Sequence, residues 1–257
     1  MDTEPSHWIS ALQGSHDRLR AVVEPLDADG LEGQSYASDW SIAQVLSHLG
    51  SGAEIFNLFL EAGLSGGEPP TREQFEPIWA SWNAKSAEAQ AADALASDAA
   101  FVERISSLDQ AQRDNLRLPL FGMDLDIVGL MRMRLGEHAV HTWDIAVAVD
   151  EAATVAPDAV ALLIDTLGQL VARAGKPTDV PQRLGIHTTE PDRDFVLEIG
   201  ESAVLGSADG NGELLELRLP AEALIRLVYG RLDPDHSPAI ETPAVDIDVL
   251  RSVFPGF

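Results

Sequence analysis

Apolar residues recur at helical spacing through roughly the first 175 positions, and after about residue 180 the period shortens to that of strands. This change of period constrains the fold more than any single residue. Trp8, Leu12, Leu19, Val22 and Val23 mark a helix over residues 4 to 25, closed by the segment 24–30. Ser38 or Asp39 caps a second helix through Ile42, Val45, Leu46, Leu49, Ile55, Phe56 and Phe59, reaching about Leu60. A Gly- and Pro-rich loop over 63–70 precedes an alanine-rich helical segment over 71–108, which Pro77 kinks or divides near its start. Residues 109 to 123 read as irregular, with Pro119 and Gly122 as breakers, and a fourth helix spans 124 to 149. A further helix runs from 157 to 174. Strand-like runs at 186–189, 195–199, 203–205 and 214–219, with a turn at 209–212, predict a small antiparallel sheet. Helices opening at Pro220 and near Asp246 complete an α+β chain.

Forty-two acidic against seventeen basic residues give a net charge of −25. Such a surface repels phosphate backbones and anionic lipid, which argues against nucleic-acid and membrane partners. An anionic substrate therefore needs a local positive group, supplied by a metal or an arginine. The chain has no cysteine, so it has no thiol nucleophile or thiolate ligand of its own, and thiol chemistry has to be borrowed. An acidic N-terminus and the lack of a long apolar run predict a cytoplasmic protein.

Glu137 and His141 are four residues apart on the fourth helix, a spacing that stacks both side chains on one face. His48, on the second helix, supplies a further imidazole. Two imidazoles and a carboxylate can bind a divalent metal, zinc or non-haem iron, and leave a position open. The bland alternatives are a surface ion pair for Glu137 and His141 and a hydrogen-bonded core-edge histidine for His48. His138 points about 100° away from Glu137 and reads as peripheral. Asp144, three residues past His141, is a candidate to hold the ring nitrogen that does not bind metal; an ordinary helix contact is the equal alternative. Gly136 either permits close helix approach or is a local weakness, and Trp40 and Trp143 are either pocket walls or core.

The segments Trp40-Ser-Ile-Ala-Gln-Val-Leu-Ser-His-Leu49 and Glu137-His-Ala-Val-His-Thr-Trp-Asp-Ile145 resemble the mycothiol-dependent maleylpyruvate isomerase family, within the wider DinB-like metalloprotein superfamily. The resemblance implies a DinB-like four-helix bundle over residues 1–155, binding one divalent metal, zinc foremost, through His48, Glu137 and His141. A small sterol-carrier-like α+β domain over 156–257 would follow. It also implies mycothiol as the thiol and a small electrophile, an anionic one included, as substrate, isomerised or thiolated. The segment Leu224-Ile-Arg-Leu-Val-Tyr-Gly-Arg231 resembles the family's helix ending in Gly-Arg, which makes Arg231 the candidate to hold a substrate carboxylate and Arg226 the second choice. Compensation of the helix C-terminus is their alternative. Arg132 and Arg134 either serve an anionic pocket or solvate their helix. A hydrolase using activated water, and a non-catalytic binding protein that retains the bundle, are the competing functions.

Overall fold

The computed structural model describes residues 4–120, 123–207, 214–241 and 245–256. The chain divides into two compact units, one ending at Thr154 and the other beginning at Val155. The fold is α+β, with a helical unit first and a small sheet unit second.

Four long helices build the first unit: α1 (Pro5–Val23), α3 (Ile42–Ser65), α5 (Ala87–Ser106) and α7 (Ile127–Val149), with α2 (Ala28–Glu32), α4 (Arg72–Asn83) and α6 (Gln110–Asn115) between them. They form a closed bundle in which α1 packs on α5 and α7, and α3 packs on the same two. Ser41 starts α3 with a capping box, its hydroxyl accepting from Gln44 N while the Gln44 side chain accepts from Ser41 N. Asp126 starts α7 by accepting from Gly129 N. The apolar stripe of α3, including Val45, Leu46 and Leu49, packs against Leu19 and Val23 of α1, Ala91 and Ala94 of α5 and Ile145 of α7. Trp82 of α4 lies across α3 at Gly50, where a β-carbon would fall 2.2 Å from the indole. Only glycine admits that contact.

Several local readings change. Residues 27–30 do not end in a turn but open α2, because Asp27 caps it through Gly30 N. The alanine-rich segment breaks at residues 84–86 rather than at Pro77, which lies inside α4; Ser86 accepts from Ala89 N and starts α5 as a separate helix. The segment read as irregular holds α6, capped by Asp109, and an antiparallel pair β1 (Leu118–Leu120) and β2 (Met123–Leu125). Gly122 lies outside the described residues.

In the second unit, the helix over 157–174 is divided into α8 (Pro157–Leu163) and α9 (Leu167–Ala174) by a 3-10 turn at Ile164–Thr166. The sheet contains β3 (Gln182–Thr189), β4 (Arg193–Ile199), β5 (Ala203–Ser207) and β6 (Leu215–Pro220), in the order β5-β4-β3-β6. It is antiparallel across β5, β4 and β3, but β6 runs parallel to β3. That register sets Leu215, Leu217 and Leu219 beside Leu184, Ile186 and Thr188, so the apolar side chains share one face. The turn read at 209–212 lies outside the described residues. Helices α10 (Ala221–Val228) and α11 (Ile247–Val253) follow, with Pro220 at the cap of α10.

Polar groups are gathered at the centre of the bundle. Asp98, Arg134 and His138 are each 1% exposed. Asp98 Oδ1 accepts from Arg134 Nη2 at 2.8 Å, and its Oδ2 lies 2.9 Å from His16 Nδ1 and 3.0 Å from His138 Nε2. Burial pushes the Asp98 carboxyl upward, but the potential of His138, hydrogen bonds from His138 and His16, and the Arg134 charge together hold it well below the usual carboxylate range. On the polar face of the sheet, His187 bridges Asp194 of β4 and Glu216 of β6, the latter at 2.6 Å, and the two hydrogen bonds raise its pKa above 6.5 against partial burial.

Asp98→Ala leaves the Arg134 charge buried without its partner and should cost about 3–5 kcal/mol in denaturant unfolding. Because the folded pKa of Asp98 is depressed, the contribution of its ionised form is complete above its unfolded pKa of about 3.9 and is lost as the pH falls toward the folded value, so the stability gap to Asp98→Asn should narrow in acid. His187 has the opposite sign. Its contribution is complete below about pH 6.5 and lost as the pH rises through its elevated folded pKa, so His187→Gln should destabilise the protein in mild acid and progressively less in alkali, read from melting temperature against pH.

Candidate metal centre

His48 lies on α3 about two turns after the Ser41 cap, and Glu137 and His141 lie one turn apart on α7. Where the two helices face each other, the three side chains converge. One donor atom from each, two imidazole nitrogens and a carboxylate oxygen, fall within 4.8 Å of one another. Glu137 Oε2 is 3.4 Å from His48 Nε2 and 3.8 Å from His141 Nε2. The two rings meet edge to face, 4.7 Å between centroids.

The protonation states favour cation binding. Burial is the main cause that pushes the His48 pKa below 6.5, and His141 adds positive potential, while the hydrogen bond to Glu137 works the other way; the ring is neutral at physiological pH. Burial pushes Glu137 upward, but the hydrogen bond from His48 and the potentials of His141, His48 and Arg134 outweigh it and hold the carboxyl at about 2, so it is ionised. Neutral imidazoles and an anionic carboxylate are the forms that ligate.

Asp144 is fully buried, and its Oδ2 accepts from His141 Nδ1 at 2.8 Å. That bond sets the tautomer and turns Nε2 toward Glu137. The Asp144 carbonyl in turn accepts from Tyr36 N, which anchors the preceding loop to this end of α7. Trp40 lies over the pair of rings, 5.2 Å from His48 and 6.3 Å from His141. A cavity of about 520 Å³ opens beside His48, walled by Trp40 and Trp79 and edged by Gln44, Asn83 and Gln90.

Other sequence candidates lie elsewhere. His138 is directed away from the three donors and sits at the bundle centre, where its Nδ1 accepts from the Ser15 hydroxyl at 2.8 Å. Trp143 is core, its indole donating to the Ala153 carbonyl, whereas Trp40 is a cavity wall. Arg134 neither lines an anionic pocket nor solvates its helix; it is the buried partner of Asp98. In the second unit, Arg226 is 3% exposed and forms a bidentate pair with Glu222, while its Nη1 donates to the His236 carbonyl, so its fork is committed to structure. Arg231 is half-buried past the end of α10, and its Nη1 donates to the Tyr229 carbonyl at 2.6 Å. Sequence reasoning missed the cavity residues Trp79, Asn83 and Gln90, which belong to α4 and α5. No periodic signal distinguishes them from other polar or aromatic helix positions.

Residues 12–146, the bundle with all three donors, match the family model described as the mycothiol maleylpyruvate isomerase N-terminal domain. No curated protein matches the chain. Among solved structures, the crystal structure of the mycothiol-dependent maleylpyruvate isomerase superposes with a TM-score of 0.69 at 12% identity, covering 95% of each chain. A mutant of that isomerase with a histidine replaced by alanine gives 0.67 at 13% identity, covering 95% of this chain and 96% of the other. At such identities the likeness shows a shared fold. More than half of the chain matches the family model, and the chain belongs to the mycothiol maleylpyruvate isomerase N-terminal domain family.

Proposed function

We propose that the protein is a metal- and mycothiol-dependent enzyme that acts on a small electrophile, with isomerisation of maleylpyruvate as the leading reaction. The observation that carries this reading is the convergence of His48, Glu137 and His141 beside a cavity, within the part of the chain that matches the family model. The donor set fits a divalent ion: a neutral His48 imidazole, an ionised Glu137 carboxylate, and the His141 imidazole oriented by the buried Asp144. Zinc suits these ligands best. When bound, such a cation supplies the charge that lowers a thiol's pKa, and the thiol supplies a nucleophile that adds reversibly to an activated carbon–carbon double bond.

The chain's own residues prepare that chemistry. His48, Glu137 and His141 are the ligands, and three protein ligands leave a coordination position open. Asp144 keeps the His141 proton on Nδ1 so that Nε2 stays free to ligate. The indoles of Trp40 and Trp79 exclude water from one side of the cavity, and the edging amides offer hydrogen bonds to an uncharged, polar part of a ligand. Arg231 is the residue proposed to orient a substrate carboxylate. The first unit corresponds on this reading to a DinB-like bundle and the second to a sterol-carrier-like domain. A hydrolase using the same ligands differs in needing no thiol.

Elemental analysis of untagged protein should return a stoichiometric divalent ion that is absent from His141→Ala, and Asp144→Asn should weaken its affinity by about 10–100-fold. A wild-type protein that holds no ion and cannot be reconstituted would sink the proposal. Spectrophotometric assay of maleylpyruvate should show turnover only when mycothiol is added. Arg231→Ala should keep its metal while kcat/KM falls by about 10–100-fold, the loss of a charge-assisted hydrogen-bond pair. Turnover of an ester or amide without any thiol would favour the hydrolase.

A further inference from the structure

Arg134, Glu137 and His141 are three and seven residues apart, which puts them on one stripe of α7. On α3 the opposing positions are His48 and, one turn later, Gly52. Glu137 meets His48, and the Arg134 guanidinium passes Gly52, where a β-carbon would lie 3.0 Å from Nη1. The metal candidate and the guanidinium are therefore adjacent rungs between the same two helices, which run in opposite senses here. Arg134 Nη2 donates both to Asp98 of α5 at 2.8 Å and to the Leu49 carbonyl of α3 at 3.1 Å. Leu49 is the residue after His48. The rings of Phe56 and Phe101 lie within 5.7 and 5.8 Å of the guanidinium carbon. A glycine, two aromatic rings, a carboxylate and a main-chain carbonyl thus enclose one side chain that no step of the proposed chemistry uses.

We infer that Arg134, held by Asp98, is a positioning residue for the metal centre: it fixes the separation between the His48 backbone on α3 and the Glu137 and His141 pair on α7. The inference rests on the reading of these three residues as ligands. The two N–H bonds of Nη2 point in directions fixed by the guanidinium plane and reach two acceptors on two helices at once, whereas the lysine ammonium rotates freely and methionine has no donor. Without it, α3 and α7 remain packed through their apolar stripes, but the helix-to-helix distance at the donors is no longer set by a hydrogen bond.

The test is zinc affinity, measured by competition with a chromophoric chelator on the full chain, alongside the melting temperature of the metal-free protein. Leu12→Ala, a buried α1 substitution, serves as the control that lowers stability without touching this rung. Arg134→Met should bind zinc about 10–100-fold more weakly than wild type, Arg134→Lys should recover part of the loss, and Leu12→Ala should keep wild-type affinity despite its lower melting temperature. The visible spectrum of the cobalt(II) form should change in the Arg134 variants and not in the control. Wild-type affinity and an unchanged cobalt spectrum in Arg134→Lys and Arg134→Met, with only the melting temperature lowered, would overturn the inference and leave the metal reading intact. If Arg134→Met does not fold, Arg134→Lys decides by the same criterion. A wild-type chain that binds no zinc overturns the metal reading itself, and the inference with it.

Discussion

A single buried carboxylate brings the four long helices to one point. Asp98 belongs to α5; it meets His16 of α1 and both Arg134 and His138 of α7, and Arg134 carries the connection on to the Leu49 carbonyl of α3. Burying a carboxylate and a guanidinium costs several kcal/mol of lost hydration per ion, and their attraction offsets this only when the geometry supplies additional hydrogen bonds. Here the carboxylate is well served, while Arg134 Nε has no hydrogen-bond partner among the described residues. An apolar replacement of the whole group could match it in stability. What an apolar replacement would lack is directionality: Leu and Phe side chains tolerate sliding along a helix, and one guanidinium nitrogen with its two N–H bonds aimed at two fixed acceptors does not.

The metal candidate sits one rung from this point and shares its helices. Its three donors are held by short-range rules, the four-residue repeat on α7 and the capped start of α3, and are brought together by a long-range one, the register of α3 against α7. The partly accessible Glu137 and His48 differ from the fully enclosed Asp98 and His138 in this respect: the same residue types serve the cavity at one level and the core at the next.

The helical half of the fold was legible because its apolar stripes are long and regular; α1, α3 and α7 are each at least five turns. The shorter elements were not. The break before Ser86 depends on one hydroxyl in an otherwise helix-favouring run, and β1 and β2, three residues each, are below the length at which alternation can be recognised. Parallel pairing of β6 with β3 was illegible because a strand's partner is a non-local property, and proximity in sequence favours a hairpin. At the site, the facing of Glu137 and His141 follows from spacing, and their meeting with His48 needed the two motifs to be read together. Arg134 was misread for a physical reason: in a helix, arginine is ordinarily a solvated residue, and only the packing of α3 and α5 around it reveals a core position.

Trp40 and Trp79 wall the cavity, whereas Trp8, Trp82 and Trp143 are almost wholly enclosed by protein. The five indoles thus form two spectroscopic populations, one exposed to whatever enters beside His48 and one shielded from it. Selective excitation near the red edge of tryptophan absorption, with a neutral quencher, would separate their emission, giving this chain an intrinsic optical gauge of occupancy that requires neither label nor turnover.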